Sequence, residues 1–165
     1  MMRRSLVVLA MGTAIACPAF AAPKVATVRV SIGEELAKKT QIMDAREFDY
    51  LSRELKRSVE TRLDRSNALD PEGGELDLVI EDARPNRPTW REMSAKPGLS
   101  YQSFGVGGAR VSGEYRATSG ARTPVAYSWY ETDIRWAQHD ATWSDADEAF
   151  DRLAARLVKN QFSDH

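Results

Sequence analysis

Histidines are the first residues to examine for catalysis or metal binding, and the chain has two of them, His139 and His165. His139 precedes Asp140, but no second pair of ligands stands at the spacing typical of a zinc site. A Ser-His-Asp triad would need His139 as its base, and no G-x-S-x-G motif marks a nucleophile. We therefore predict no catalytic residue, no metal, no cofactor and no enzymatic activity.

Two further motifs contain residue types that occur in functional sites, but they lack the structural surroundings that such sites need. A phosphate-binding glycine loop leads from a strand into a helix, whereas a strand pattern follows Gly105–Gly108. We interpret these glycines as a flexible strand start or bulge. Glu81 and Asp82 are suited to acid–base work, but we expect them at the end of an edge strand, where carboxylates are usually solvated.

The tryptophans are the first of two sequence features that indicate a binding surface. All four lie between residues 90 and 143, and three are candidates for binding: Trp90, Trp129 and Trp136. Aromatic side chains that are exposed on a sheet stack on sugars, which would suit a glycan ligand. Aromatic residues on strands more often pack in the core, so the core remains the competing interpretation.

The segment from residue 84 to residue 91 gives the second binding signal. Arg84, Arg87 and Arg91 surround Trp90, and arginine and tryptophan are enriched at binding hot spots. We predict a surface for an anionic partner here. The alternative is a loop that folds back onto its own domain.

The N-terminus predicts export. A short basic start precedes an apolar run from residue 5 to residue 20, and Ala19 and Ala21 form the A-x-A pattern of a signal-peptidase site. The run is too short for a membrane span, which needs about 20 apolar residues. We predict that residues 1–21 are a signal peptide and residues 22–165 a single periplasmic domain.

Cysteine usage leaves a second location open. Cys17 is the only cysteine, and the segment from residue 14 to Cys17 is similar to a lipobox, which would make the protein an outer-membrane lipoprotein anchored at Cys17. Cleavage after Ala21 instead leaves a domain without thiols or disulfides. Loss of Arg3 and Arg4 would then leave 21 basic and 24 acidic residues, a net charge of −3. That balance argues against nucleic-acid binding.

The first half of the mature chain predicts a strand, a helix and a strand. Residues 25–32 and 76–81 alternate between apolar and polar side chains, which is typical of half-buried strands. Asp44 and Glu47 form a capping-box pattern at the start of a long helix. Its apolar stripe is Phe48, Leu51, Leu55, Val59 and Leu63.

The second half predicts a long loop, a hairpin and a helix. Residues 84–100 are rich in proline, and strands at 109–116 and about 124–134 flank a turn. Ser144 is the predicted cap of the last helix, with a stripe of Ala146, Phe150, Leu153, Leu157 and Val158. The order β-α-β-β-β-α predicts an α+β two-layer sandwich, a mostly antiparallel sheet with two helices on one face.

Two segments resemble a bacterial family of exported proteins of unknown function, many of them outer-membrane lipoproteins. They are residues 103–115, where glycines and small residues lead into a hairpin, and residues 143–150, which open the last helix. The resemblance covers roughly residues 25–162. It implies a cell-envelope location and no known catalysis, and it offers no catalytic residue. The chain departs from the family in its imperfect lipobox.

The partners that these patterns favour are an envelope protein, a glycan or an anionic lipid. We predict a non-enzymatic envelope protein that acts through binding or assembly, with a module for glycans or anionic ligands as the alternative. The sequence leaves the oligomeric state open.

Overall fold

The computed structural model describes residues 22–137 and 141–163, and it confirms the predicted α+β class. The predicted signal peptide, Cys17, His139 and His165 lie outside the described residues. The elements follow the chain in this order: β1 (Val25–Ile32), α1 (Glu34–Ala37), α2 (Ala45–Arg65), β2 (Gly74–Arg84), α3 (Trp90–Ala95), β3 (Gly108–Arg116), β4 (Arg122–Tyr130) and α4 (Ser144–Leu157).

The four strands form one sheet in the order β1-β2-β3-β4. β1 and β2 are parallel, and α2 provides the long crossover that parallel neighbours require. β2, β3 and β4 form an antiparallel meander. The predicted mostly antiparallel sheet is therefore confirmed, with β1 as its parallel edge.

The two long helices cover one face of the sheet. α2 contacts β1 and α4, and α4 contacts β3 and β4. The predicted capping box of α2 is present, because the Asp44 carboxylate accepts from the Arg46 amide and the Glu47 carboxylate accepts from the Asp44 amide. The largest fully buried side chains include Leu51, Leu55, Leu63, Leu76, Leu78, Ile80, Phe150, Leu153 and Leu157.

The opposite face of the sheet is charged. The Arg29 guanidinium donates to Glu75 at 2.7 Å and to Asp77 at 3.1 Å, and Arg116 donates to Glu75 at 3.0 Å. These ion pairs join three neighbouring strands across an exposed surface. Since exposed pairs contribute little to stability, the helix-covered face supplies the core.

Three local predictions were wrong. Ser144 does not cap α4, because its Oγ accepts the Ala141 amide of the preceding loop at 2.8 Å. β4 ends at Tyr130 rather than near residue 134. The loop at 84–100 contains a short helix, α3, whose N-cap is Thr89.

Candidate functional site

A buried polar network fixes the base of the arginine-rich loop. Asn86 and Asp145 are 1 % and 7 % exposed. The Asp145 carboxylate accepts from Asn86 Nδ2 at 2.6 Å and from the Gly107 amide at 2.7 Å, and Asn86 Oδ1 accepts the Asp145 amide at 2.9 Å. Buried polar groups that are paired in this way hold one geometry. The loop is thereby tied to the start of α4.

Gly107 is required by close packing against this network. A Cβ there would lie 2.6 Å from the Arg84 carbonyl oxygen and 2.8 Å from Asn86 Oδ1. Gly108 begins β3 with a φ of 145°, a conformation that side chains other than glycine's rarely adopt. The glycine cluster is therefore a strand start, as predicted, and close approach of neighbouring atoms explains Gly107 and Gly108 better than flexibility does.

Arg87 contacts the segment that follows α3. Its guanidinium donates to the Tyr101 carbonyl at 2.9 Å and lies 5.3 Å from the centre of the Tyr101 ring and 5.9 Å from that of Phe104. Guanidinium groups in this position are attracted by the ring face. Arg87 thus belongs to the frame of the loop, and its head is engaged within the domain.

The other three residues of the predicted surface point outward. Trp90 is 69 % exposed at the first position of α3, and Arg84 and Arg91 are exposed as well. Arg84 lies over the Tyr130 ring at 5.2 Å. Thr89 sits beneath them, 2 % exposed, and its hydroxyl accepts the Glu92 amide at 3.2 Å while donating to the Ile42 carbonyl. We call Arg84, Trp90 and Arg91 the arginine-loop surface.

Two clefts of about 320 Å³ each adjoin this surface. One is lined by Ile42, Arg84, Pro85, Asn86, Arg87, Pro88, Glu92, Leu99, Ser103, Phe104 and Gly105. The other is lined by Arg46, Glu47, Tyr50, Thr89, Trp90, Thr142 and Trp143. The same loop therefore supplies a basic wall to one cleft and an indole to the other.

The remaining predicted tryptophans occupy different environments. Trp129 is half-buried against the core, and the Arg152 guanidinium covers its ring at 4.3 Å. Trp136 is 70 % exposed in the segment that follows β4. Trp129 is thus mainly a packing residue, whereas Trp90 and Trp136 present free ring faces.

The carboxylates of β2 occupy a different position from the predicted one. β2 is an interior strand, so Glu81 and Asp82 do not end an edge strand. Glu81 accepts from the Ser112 hydroxyl, and Asp82 accepts from Lys39 and from the Tyr130 hydroxyl, the latter at 2.6 Å. Burial alone would raise the pKa of Asp82, but these two hydrogen bonds hold that pKa below its ordinary value.

Sequence reasoning missed the pairing of Asp147, which lies in the first turn of α4. Its Oδ2 accepts the Tyr50 hydroxyl at 2.7 Å, and its Oδ1 is buried with no partner among the described residues. Burial, assisted by the nearby charges of Glu54 and Asp151, raises the pKa of Asp147 to about 6. Residues 50 and 147 belong to different helices, so no local motif signals the pair.

Two general properties concern the described part of the chain only. Residues 22–137 and 141–163 include no group of three or more His, Cys, Asp or Glu side chains placed to hold a metal ion. None of the helices in those ranges combines the length and apolar character needed to cross a bilayer.

Comparisons with known proteins give a weak structural likeness. No protein-family model and no curated protein sequence matches the chain. Among solved structures it is similar to rare lipoprotein B from Shewanella oneidensis, at 11 % identity and a TM-score of 0.33, over 81 % of this chain and 92 % of that one. That neighbour is a bacterial lipoprotein, but a likeness of this strength carries no conclusion about function. The family resemblance stays a prediction.

Proposed function

We propose that this chain is a non-enzymatic protein of the bacterial cell envelope that binds an anionic partner through the arginine-loop surface. The observation that carries the proposal is a contrast in burial. Trp90 is 69 % exposed, while the adjacent Thr89 and the loop base at Asn86 are almost fully buried. An exposed indole and two exposed arginines of the same segment are held on a frame that is already ordered.

Pre-organisation supports binding for a physical reason. Ordering a loop on association costs free energy, and a loop fixed beforehand avoids much of that cost. The indole provides a large apolar contact, and the guanidinium groups suit carboxylate or phosphate oxygens. On a domain whose predicted net charge is −3, they make a local basic patch.

The test compares two double variants of the purified protein. Arg84→Ser/Arg91→Ser removes the charges of the surface, whereas Arg62→Ser/Arg65→Ser removes two exposed charges from α2 and serves as the matched control. The probes are phosphatidylglycerol vesicles, phosphatidylcholine vesicles and polygalacturonate, which separate an anionic lipid from an acidic glycan. A photo-crosslinking residue at position 90 reports an acidic protein face in cells.

We expect the wild type and the control variant to bind one anionic probe or to form one discrete protein adduct. The loop variant alone should lose that binding or that adduct. Binding should also weaken as salt rises, since exposed charges are screened within about 8 Å at physiological ionic strength. Equal binding by the loop variant and the control would contradict the proposal. So would the absence of binding in every arm.

A glycan-binding function is the second candidate, and one observation favours it. Trp90 and Trp136 are 69 % and 70 % exposed, and exposed indoles stack on sugar rings. Neutral oligosaccharides would then bind with little salt dependence. Replacing both tryptophans with alanine should abolish this binding, while Arg84→Ser/Arg91→Ser should leave it intact.

A further inference from the structure

One edge of the sheet presents unused main-chain groups. The Gly33 amide donates to the Ile80 carbonyl of β2 at 2.9 Å. Because main-chain groups alternate along a strand, the amides and carbonyls of Val28, Val30 and Ile32 are directed away from β2. No described residue forms a hydrogen bond with these groups on that side.

Other parts of the sheet edges are covered by hydrogen bonds to neighbouring segments. At the start of β1, the Val25 amide donates to Ala68 and the Val25 carbonyl accepts from Asp70, so that end is covered. At the opposite edge, the Ala126 amide of β4 donates to the Phe162 carbonyl. Val28 is only 3 % exposed, so the part of β1 without such cover runs from Val30 to Ile32.

The open segment also lacks the usual protection of an edge strand. Natural edges are blunted by proline, lysine, bulges or short length. β1 has eight residues, contains neither proline nor lysine, and has its irregularity between Val25 and Thr27. Its single charged residue, Arg29, is directed to the charged sheet face, where it is bonded to Glu75 and Asp77.

A groove of about 500 Å³ runs along this edge, between β1 and α2. Its strand wall is Val28, Arg29 and Val30, and its helix wall is Asp49, Ser52, Arg53 and Lys56. Arg53 is exposed and forms no ion pair with another described residue, and the Lys56 ammonium lies 3.7 Å from Glu60. Asp49 offsets one of the two cations that line the helix wall, so the wall keeps one net positive charge, and Arg53 is the cation outside an ion pair.

We propose that β1 accepts an extended acidic segment of a partner protein as a fifth strand, seated in the groove against α2. Main-chain hydrogen bonds to Val30 and Ile32 give affinity in this mode of recognition, and alternate side chains give specificity. Acidic side chains on one side of the added strand would meet Arg53 and Lys56. This site is separate from the arginine-loop surface and does not rest on it.

Charge favours such a partner over a second copy of the chain. If two copies paired through β1, each α2 would approach the other, and Arg53 and Lys56 would face their own equivalents. Like charges placed together oppose pairing. A segment with carboxylates at alternate positions instead offers opposite charge along the same wall.

Hydrogen exchange tests the geometry of the free protein. The amides of Val30 and Ile32 should exchange much faster than those of Arg29 and Ser31, because only the latter donate to β2. If all amides of β1 were equally protected from hydrogen exchange, the outer edge of β1 would be covered, and the proposal would be overturned.

Partner chemistry is tested with a display library of random heptapeptides selected on the purified protein. Enriched peptides should carry acidic residues at alternate positions. Val30→Pro removes an outward amide without breaking the pairing with β2, and the loss of that hydrogen bond should weaken binding about tenfold. Val30→Thr keeps the amide and the side-chain shape, so it should bind as the wild type does.

A second pair of variants keeps the test decisive if Val30→Pro fails to fold. Arg53→Glu/Lys56→Glu reverses the charge of the groove, whereas Arg62→Glu/Arg65→Glu makes the same change elsewhere on α2. Only the first pair should abolish binding of the acidic peptides. No enrichment, enrichment of basic peptides, equal effects of the two pairs, or a dimer lost on Val30→Pro would each overturn the proposal.

Discussion

Replacing Asp147 with asparagine should remove a pH dependence from the stability of this protein. Burial raises the pKa of Asp147 from 3.8 to about 6. Between these values the native state holds a proton that the unfolded chain releases. The free energy of unfolding should therefore fall as the pH rises from about 4 to about 6, which is the reverse of the behaviour of a carboxylate in an ion pair.

The magnitude follows from the size of the window. A pKa difference of one is worth about 1.4 kcal/mol, so the limit for a change from 3.8 to about 6 is about 3 kcal/mol. Asp147 is only half-buried, and it lies in the first turn of α4, where negative charge is favoured. Solvent screening and the helix dipole reduce the expected destabilisation above pH 6 to about 1–2 kcal/mol.

Urea unfolding of the wild type and Asp147→Asn, followed by tryptophan fluorescence between about pH 4 and about pH 7, measures the effect. Near neutral pH the variant should be more stable by about 1–2 kcal/mol, and near pH 4 the two should agree. Asparagine keeps an oxygen that accepts from the Tyr50 hydroxyl, so the variant removes the charge and keeps this hydrogen bond.

Tyr50→Phe provides the matched control. The tyrosine hydroxyl donates to the ionised carboxylate, so its loss should raise the pKa of Asp147 further and extend the sloping region to higher pH. The reasoning fails if carbon NMR shows Asp147 titrating at or below 3.8. It also fails if Asp147→Asn and the wild type lose stability in parallel across the window.

The remaining predictions concern the core, the loop frame and export. Leu55→Ala and Leu153→Ala should each lower the free energy of unfolding by about 2–5 kcal/mol, because both side chains are fully buried; a variant that melts like the wild type would show that its helix is not packed on the sheet. Asn86→Ala should cost about 2 kcal/mol, because it removes one of the two donors to the buried Asp145 carboxylate and leaves the Asp145 amide without its acceptor, and unchanged melting would remove the argument for a rigid frame. Mass spectrometry of the exported protein should give an N-terminus at Ala22, whereas a lipidated N-terminal Cys17 would establish the lipoprotein alternative.

Local signals in the sequence predicted the helices and strands best. The capping box of Asp44 and Glu47 and the alternation along residues 25–32 depend on neighbours within a few positions, and both were confirmed. The short helix α3 was missed although its signal was present, because Thr89 stands three residues before Glu92 in the T-x-x-E spacing of a capping box. The prolines around it favoured a loop instead.

Long-range pairings were beyond the reach of the sequence. Asn86 and Asp145 are 59 positions apart, and Tyr50 and Asp147 are 97 positions apart. Nothing near either member indicates its partner. The same holds for strand order, because alternation identified β2 as a strand but could not place it inside the sheet, so Glu81 and Asp82 were assigned to an edge.

The two proposed surfaces differ in physical basis, and this makes them separable. The arginine-loop surface relies on exposed side chains over a buried frame, and the edge of β1 relies on main-chain groups with a charged helix beside them. Effects at sites without shared partners add with little coupling. Arg84→Ser/Arg91→Ser should therefore leave heptapeptide binding unchanged, and Val30→Pro should leave binding of the anionic probes unchanged. If either change abolished both activities, one continuous partner would span the two surfaces, and they would have to be treated as a single site.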